Sequence, residues 1–188
     1  PWAWPVIGAS VGRFFDRAAS VCDDRTGAGS AEHLATLAAG LDALESRPER
    51  VLDLGCGTGA GTLFLAREFP TASIRGVDIS AQMVAKAQAK IGLDPDARVT
   101  FRVADASKLP FPDDSFDLVA QVNMPVFFGE IARVLRPGGG LIIASSSGDR
   151  TPFSTPEKLV RRKLASHGFD EVHSGAAGQG TWIAARNQ

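Results

Sequence analysis

At 188 residues the chain is one domain's worth, long enough to bury roughly two thirds of its unfolded surface around a single core. Hydrophobic residues make up 44% and charged residues 22%, and 20 Lys plus Arg against 21 Asp plus Glu leave a net charge of −1. No basic field is available, so nucleic acid is not an expected partner, and two cysteines, Cys22 and Cys56, are too few for a disulfide framework and fit a reducing cytoplasm.

Residues 1–12 carry no charged side chain, but they fall short of the ~20 that span a bilayer and lack a basic leader. Neither a membrane anchor nor a signal peptide is expected there. Helices are predicted over residues 9–23 and 31–44, joined by a loop from Asp24 to Gly29. The second helix has Leu34, Leu37, Ala38 and Leu41 at i, i+3, i+4 and i+7 behind a Ser30 N-cap. Pro48 closes that region. A buried strand, Val51 to Leu54, then runs into a turn with Gly55, Gly57 and Gly59 at alternate positions, and a helical pattern continues to Phe69 and Pro70.

A second strand, Ser73 to Val77, stops at Asp78; Ser80 caps the next helix, whose Val84, Ala87 and Ile91 face inward and which Gly92 and Pro95 end. The third strand is Val99 to Ala104, followed by Asp105. A proline-rich turn precedes the fourth strand, Phe116 to Val122, and a helix from Val126 to Leu135 is stopped by RPGGG before a fifth strand at Leu141 to Ala144. Thr155 is expected to cap a helix with Pro156 at its first position, and Phe169–His173 and Thr181–Ala185 are candidate sixth and seventh strands. Strand and helix alternate throughout, which implies right-handed crossovers. The expected fold is therefore α/β: a Rossmann-like, doubly wound, mostly parallel seven-stranded sheet with helices on both faces. It is read as one domain over 1–188, with an N-terminal helical cap or lid (1–47), a ligand-binding core (48–145) and a C-terminal helix with hairpin strands (146–188).

The glycine turn is a nucleotide-binding corner, where the chain must turn with positive φ and a Cβ would block a ligand from the backbone. Gly55, Gly57 and Ala60 also satisfy G-x-G-x-x-G/A, so spacing alone leaves a nicotinamide or flavin cofactor open. Asp53, two residues before the first glycine, argues against it. A pyrophosphate beside that carboxylate is repelled, whereas the α-ammonium group of S-adenosylmethionine is attracted. Cys56 reads as a small residue filling the turn, since nothing near it in sequence lowers its pKa. His33, His167 and His173 are candidate bases by residue type alone, the first two in ordinary surface positions of helix ends. Trp2, Trp4, Phe14 and Phe15 are candidates for an apolar wall.

The motifs VLDLGCGTG (51–59), GVDIS (76–80), ADASKLPFPDDSFDLV (104–119) and EIARVLRPGGGLII (130–143), in this order, resemble the class I S-adenosylmethionine-dependent methyltransferases, in particular the group similar to ubiquinone and menaquinone biosynthesis methyltransferases. The resemblance implies that Asp53, Gly55, Cys56, Gly57 and Gly59 hold the methionine end of the cofactor. It implies that Asp78 binds the ribose hydroxyls, that Ile79 and Met83 pack on the adenine, that Asp105 accepts from its 6-amino group with the Ala106 backbone alongside, and that Gln121 contacts the cofactor through its main chain. The family's longer loop after the fourth strand is replaced here by Asn123-Met124-Pro125, which enters the next helix almost at once. Trp4, Phe14, Asn123, Met124 and Phe127 are the candidate substrate residues; no catalytic residue and no metal ligand is identified. The expected activity is methyl transfer to oxygen, nitrogen or carbon of a small molecule. A cofactor-binding protein without turnover and a nicotinamide-dependent oxidoreductase are the alternatives. Without the longer loop, the N-terminal stretch from Trp2 to Phe15 is expected to fold over the cofactor as a lid, with Arg13 or Asp16 near the methionine end.

Overall fold

The computed structural model describes residues 4–19, 29–45, 47–92, 97–151 and 153–188. Trp2, Cys22, Pro95 and residues 24–28 of the predicted first loop lie outside the described residues. Helices α1 (Trp4–Ala18) and α2 (Ala31–Leu44) precede β1 (Arg50–Leu54), α3 (Ala60–Glu68), β2 (Ser73–Asp78), α4 (Ala81–Ala89), β3 (Val99–Val103) and β4 (Phe116–Val122). There follow α5 (Phe128–Val134), β5 (Leu135–Ser145), α6 (Glu157–Ala165), β6 (Phe169–Ala177) and β7 (Gly180–Asn187). The sheet runs β3-β2-β1-β4-β5-β7-β6. Its first five strands are parallel, and β7 pairs antiparallel with both β5 and β6.

Parallel strands covered on two faces are buried on both, and β1 is buried from Val51 to Leu54, apolar except at Asp53. Leu52 and Leu54 enter the core beneath α5 and α6, while Val51 enters the core beneath α2 and α3, all fully buried. In β4 the same alternation sends Val119 to the first core and Leu118 and Ala120 to the second. The chain reverses direction across the sheet between β1 and β4, which is where an open α/β sheet leaves a crevice beyond its strand ends. Below that crevice, buried Asp117 accepts the backbone N–H groups of Glu49 (2.7 Å) and Arg50 (2.8 Å) and pairs with Arg136 at 3.1 Å, tying the start of β1 to the start of β5.

Several boundaries differ from the sequence reading. Helix α1 begins at Trp4 rather than residue 9, because Pro5 sits in the first turn, where its missing N–H costs nothing. Helix α5 is shorter than predicted, and the Arg136–Gly140 run does not break the chain but opens β5, with a register irregularity against β4 between Phe116 and Leu118. The residue capping α6 is Pro156 in extended conformation, with no side-chain cap bond, instead of Thr155. Ser30 and Ser80 cap α2 and α4 as predicted, their hydroxyls accepting from His33 and Met83 N–H at 3.1 Å each.

Candidate functional site

The turn between β1 and α3 is pinned by three bonds: Cys56 N–H donates to the Val77 carbonyl (3.0 Å), Gly57 N–H to Asp78 Oδ2 (3.0 Å), and Gly59 N–H to the Cys56 carbonyl (2.9 Å). Its three glycines all have positive φ, yet they serve three different neighbours. A Cβ on Gly55 would stand 2.7 Å from the Met124 sulfur, and one on Gly59 2.9 Å from the Phe101 ring, so these two permit packing within the protein. Over Gly57 there is nothing within 4 Å. That position alone keeps backbone open to a ligand.

Asp53, at 2% exposure, accepts the Thr62 hydroxyl at 2.6 Å through Oδ2, and a Cβ on Gly61 would lie 3.2 Å from that oxygen. Burial, opposed by the Thr62 bonds and reinforced by the charge of Asp78, pushes its carboxyl up to about 7. Asp78 uses Oδ2 on Gly57 N–H and Oδ1 on Ser80 N–H (2.9 Å), and burial raises its carboxyl too, against these bonds. Buried Cys56 is no nucleophile, since desolvation and then the two carboxylates push its thiol far above the ordinary range.

These residues floor a cleft roofed by α1. Trp4, Val11 and Phe15 line it from above, Ile79 and Met83 from the β2 side, and Met124, Pro125 and Phe153 from the β4 side. Asp16 fastens the roof by accepting the Ser80 hydroxyl (2.6 Å) and Gln82 N–H (3.2 Å), and a Cβ on Gly12 would rest 3.5 Å from Ile79. Among the described residues no lysine or arginine lines the cleft. Asn123, Met124 and Phe153 also line a second cavity, walled by Ile143, Val160 and Trp182, between the end of β5, α6 and the β6–β7 hairpin. Among the described residues no cluster of three potential metal ligands occurs.

Of the sequence-predicted residues, Asp53, Gly55, Cys56, Gly57, Asp78, Ile79, Met83, Ala106, Trp4, Asn123 and Met124 meet at this cleft. Gly59, Asp105, Gln121, Phe14 and Phe127 do not line it. Gly59 faces α4, and Phe14 is 65% exposed on the outer side of α1. Gln121 is buried on the α5 side of the sheet, its amide donating to the Met124 carbonyl at 3.3 Å. Asp105 is separated from the cleft by Trp4, whose indole N–H donates to Oδ1 at 2.8 Å; Phe127 meets the same indole edge-on at 5.0 Å. Asn123 lines the cleft with both ends of its amide engaged, donating to the Ser146 hydroxyl (2.8 Å) and accepting Ser146 N–H (2.9 Å). Arg13 bonds Ser10, and Asp16 sits at the start of α4 rather than near the glycine turn as expected.

Lining residues that escaped the sequence reading include His33, Leu34 and Phe153. His33 was read as a surface residue, but it sits half-buried at the cleft, and desolvation holds its imidazole below the usual histidine range. The Ser30 cap places it in the first turn of α2. Its proximity to β1 and β4 is a tertiary fact with no local signal, and the same holds for Phe153.

Residues 51–139 match the family described as a methyltransferase domain. The ubiquinone/menaquinone biosynthesis C-methyltransferase of Geobacter sulfurreducens is 37% identical over 132 residues, 65% of this chain and 49% of that protein. The 2-methyl-6-phytyl-1,4-hydroquinone methyltransferase of Synechocystis sp. is 40% identical over 135 residues, 66% of this chain and 41% of that protein. The chain thus spans about half or less of the length of these curated relatives. Among solved structures, the [4+2]-cyclase SpnF superposes with a TM-score of 0.75 at 21% identity, covering 94% of each chain, and a methyltransferase from Aquifex aeolicus with 0.70 at 22%, covering 85% of this chain and 93% of that one. These likenesses establish the fold.

Proposed function

We propose that this protein, whose residues 51–139 match a methyltransferase domain, transfers the sulfonium methyl of S-adenosylmethionine to an oxygen, nitrogen or carbon nucleophile of a small molecule in the cleft above β1 and β4. The observation that carries the proposal is the chemistry of that wall. Among the described residues it offers two carboxylates, one turn glycine with open space above it, and no lysine or arginine. Such a set fits a ligand with ammonium and hydroxyl donors and opposes a pyrophosphate, which disfavours the nicotinamide alternative.

When bound, the cofactor supplies an already activated methyl group, so the chain's own work is binding, alignment and exclusion of water. Gly57 would let the methionine end lie on the backbone, with Asp53 drawing its ammonium. Asp78, oriented by Gly57 and Ser80 N–H, would accept from the ribose hydroxyls. Ile79 and Met83 offer apolar surface to the adenine, and α1 shuts out water from above. The acceptor would approach past Met124 and Phe153, through the second cavity, and the phytyl hydroquinone named for the Synechocystis relative is an apolar, hydroxylated ring of the kind that cavity suits. We place the protein in the cytoplasm; among the described residues no helix is long and apolar enough to cross a membrane. Titration with S-adenosylmethionine, its demethylated product and NAD, followed by a methyl-transfer assay on a metabolite extract read by mass, tests the reading. Binding of NAD alone would overturn it.

A further inference from the structure

Helix α1 satisfies its apolar side inward: Trp4 is buried, Gly12 lies against Ile79, and Val11 and Phe15 line the cleft. Both ends are fastened, Trp4 to Asp105 at 2.8 Å and Asp16 to the Ser80 hydroxyl at 2.6 Å and Gln82 N–H at 3.2 Å. A surface helix packed in this way ordinarily turns polar residues to water. The outer face of α1 instead carries a second apolar set, with Val6 83%, Phe14 65% and Ile7 45% exposed. Val6, Arg13, Phe14 and Arg17 stand at i, i+7, i+8 and i+11, one side of a helix, with Ile7 beside them. Both arginines are exposed, whereas the single acid of the helix, Asp16, is bonded to the start of α4. The face is therefore apolar and cationic, on a chain whose net charge is −1.

We propose that the outer face of α1 is a docking surface for an anionic lipid bilayer, with Val6, Ile7 and Phe14 entering the headgroup boundary and Arg13 and Arg17 meeting lipid phosphates. The helix lies on that surface and does not span it, since its 15 residues fall short of the ~20 that a span requires. Charge selects this occupant. A second copy docked about a two-fold axis would set the arginines of one face against the same arginines of the other, and α1 presents no acid to pair with them. A bilayer offers phosphates along the whole face and asks no shape complementarity of a convex rod. The same helix roofs the cleft, so cleft and bilayer share one wall. An apolar acceptor would then reach the cleft from lipid rather than from water; that consequence rests on the reading above, and the docking itself does not.

The test sediments the full chain and two variants with phosphatidylcholine vesicles, with and without about 30% phosphatidylglycerol. The wild type should bind the anionic vesicles about thirtyfold more tightly than the neutral ones, about fivefold for each arginine, and ~1 M salt should abolish the difference. Arg13→Gln with Arg17→Gln should bind the two vesicles alike. Val6→Ser with Phe14→Ser should lose about tenfold on the anionic vesicles. All four side chains are exposed, so both variants should keep a cooperative melt. Equal or absent binding of the wild type to the two vesicles, a preference retained by the arginine variant, or an affinity retained by the apolar variant would overturn the proposal. So would a dimer, seen by light scattering, that the apolar variant abolishes, because it would give the face to a second copy. Failure of the wild type to bind S-adenosylhomocysteine in calorimetry would instead overturn the cofactor reading and leave the docking standing.

Discussion

A carboxyl raised from 3.8 to about 7 costs about 4 kcal/mol more to ionise in the fold than in the unfolded chain, and Asp53 is such a carboxyl. A ligand ammonium binds its ionised form. At pH 6 about nine in ten ligand-free molecules hold Asp53 neutral, and at pH 8 about one in ten, so affinity for S-adenosylhomocysteine should rise about tenfold between them, with proton release at the lower pH. Asp53→Asn should flatten that dependence and weaken binding at pH 8. The stability effect has the opposite sense. Because the folded pKa is raised, the fold is favoured at low pH and penalised progressively above about 4, fully above about 7. Asn keeps an acceptor for the Thr62 hydroxyl and carries no charge, so the variant should be more stable at pH 8 by about 1 to 3 kcal/mol, once a weaker hydrogen bond is allowed for, and no more stable at pH 4. Calorimetric titration across pH 6 to 8 and melts at pH 4 and 8 measure both arms. A flat wild-type affinity, or the same slope in Asp53→Asn, would refute the reasoning, the second result assigning the proton to Asp78.

Gly57→Ala should leave the melt within about 1 to 2 kcal/mol of wild type, since the added methyl meets nothing and only the positive φ is strained. It should nevertheless weaken cofactor binding at least tenfold by calorimetry, while Gly59→Ala, which collides with Phe101 and Ala87, should lose stability first. Deleting residues 1–15 removes Trp4 and Val11 from the roof but leaves the sheet, so melting should stay cooperative while methyl transfer and cofactor affinity fall. Normal binding and turnover in the truncated protein would end the idea of a lid.

The central strands were legible because burial on both faces leaves short, mostly apolar runs, and the caps because Ser30 and Ser80 act on their own helices. The Arg136–Gly140 run misled: it carries breaker residues, and in the fold it begins a strand. At the site, Asp53, Gly57 and Asp78 were readable because a strand end announces itself in sequence. Strand periodicity turned Gln121 away from the cleft, and Trp4 came to Asp105 across 101 residues, a pairing that no local pattern encodes. His33 and Phe153 were missed for the same reason. Their helix and loop positions are ordinary, and only the packing of α2 and of the segment before α6 brings them to one wall.

The Met124 thioether rests on the glycine turn so closely that no side chain fits at Gly55. On the proposed function, the wall facing an incoming acceptor meets the backbone beneath the cofactor at this contact, so each ligand bears on the seat of the other. Steady-state kinetics should then follow a compulsory order, cofactor first and its demethylated product last to leave, because the thioether is seated for an acceptor only after the turn beneath it has been loaded.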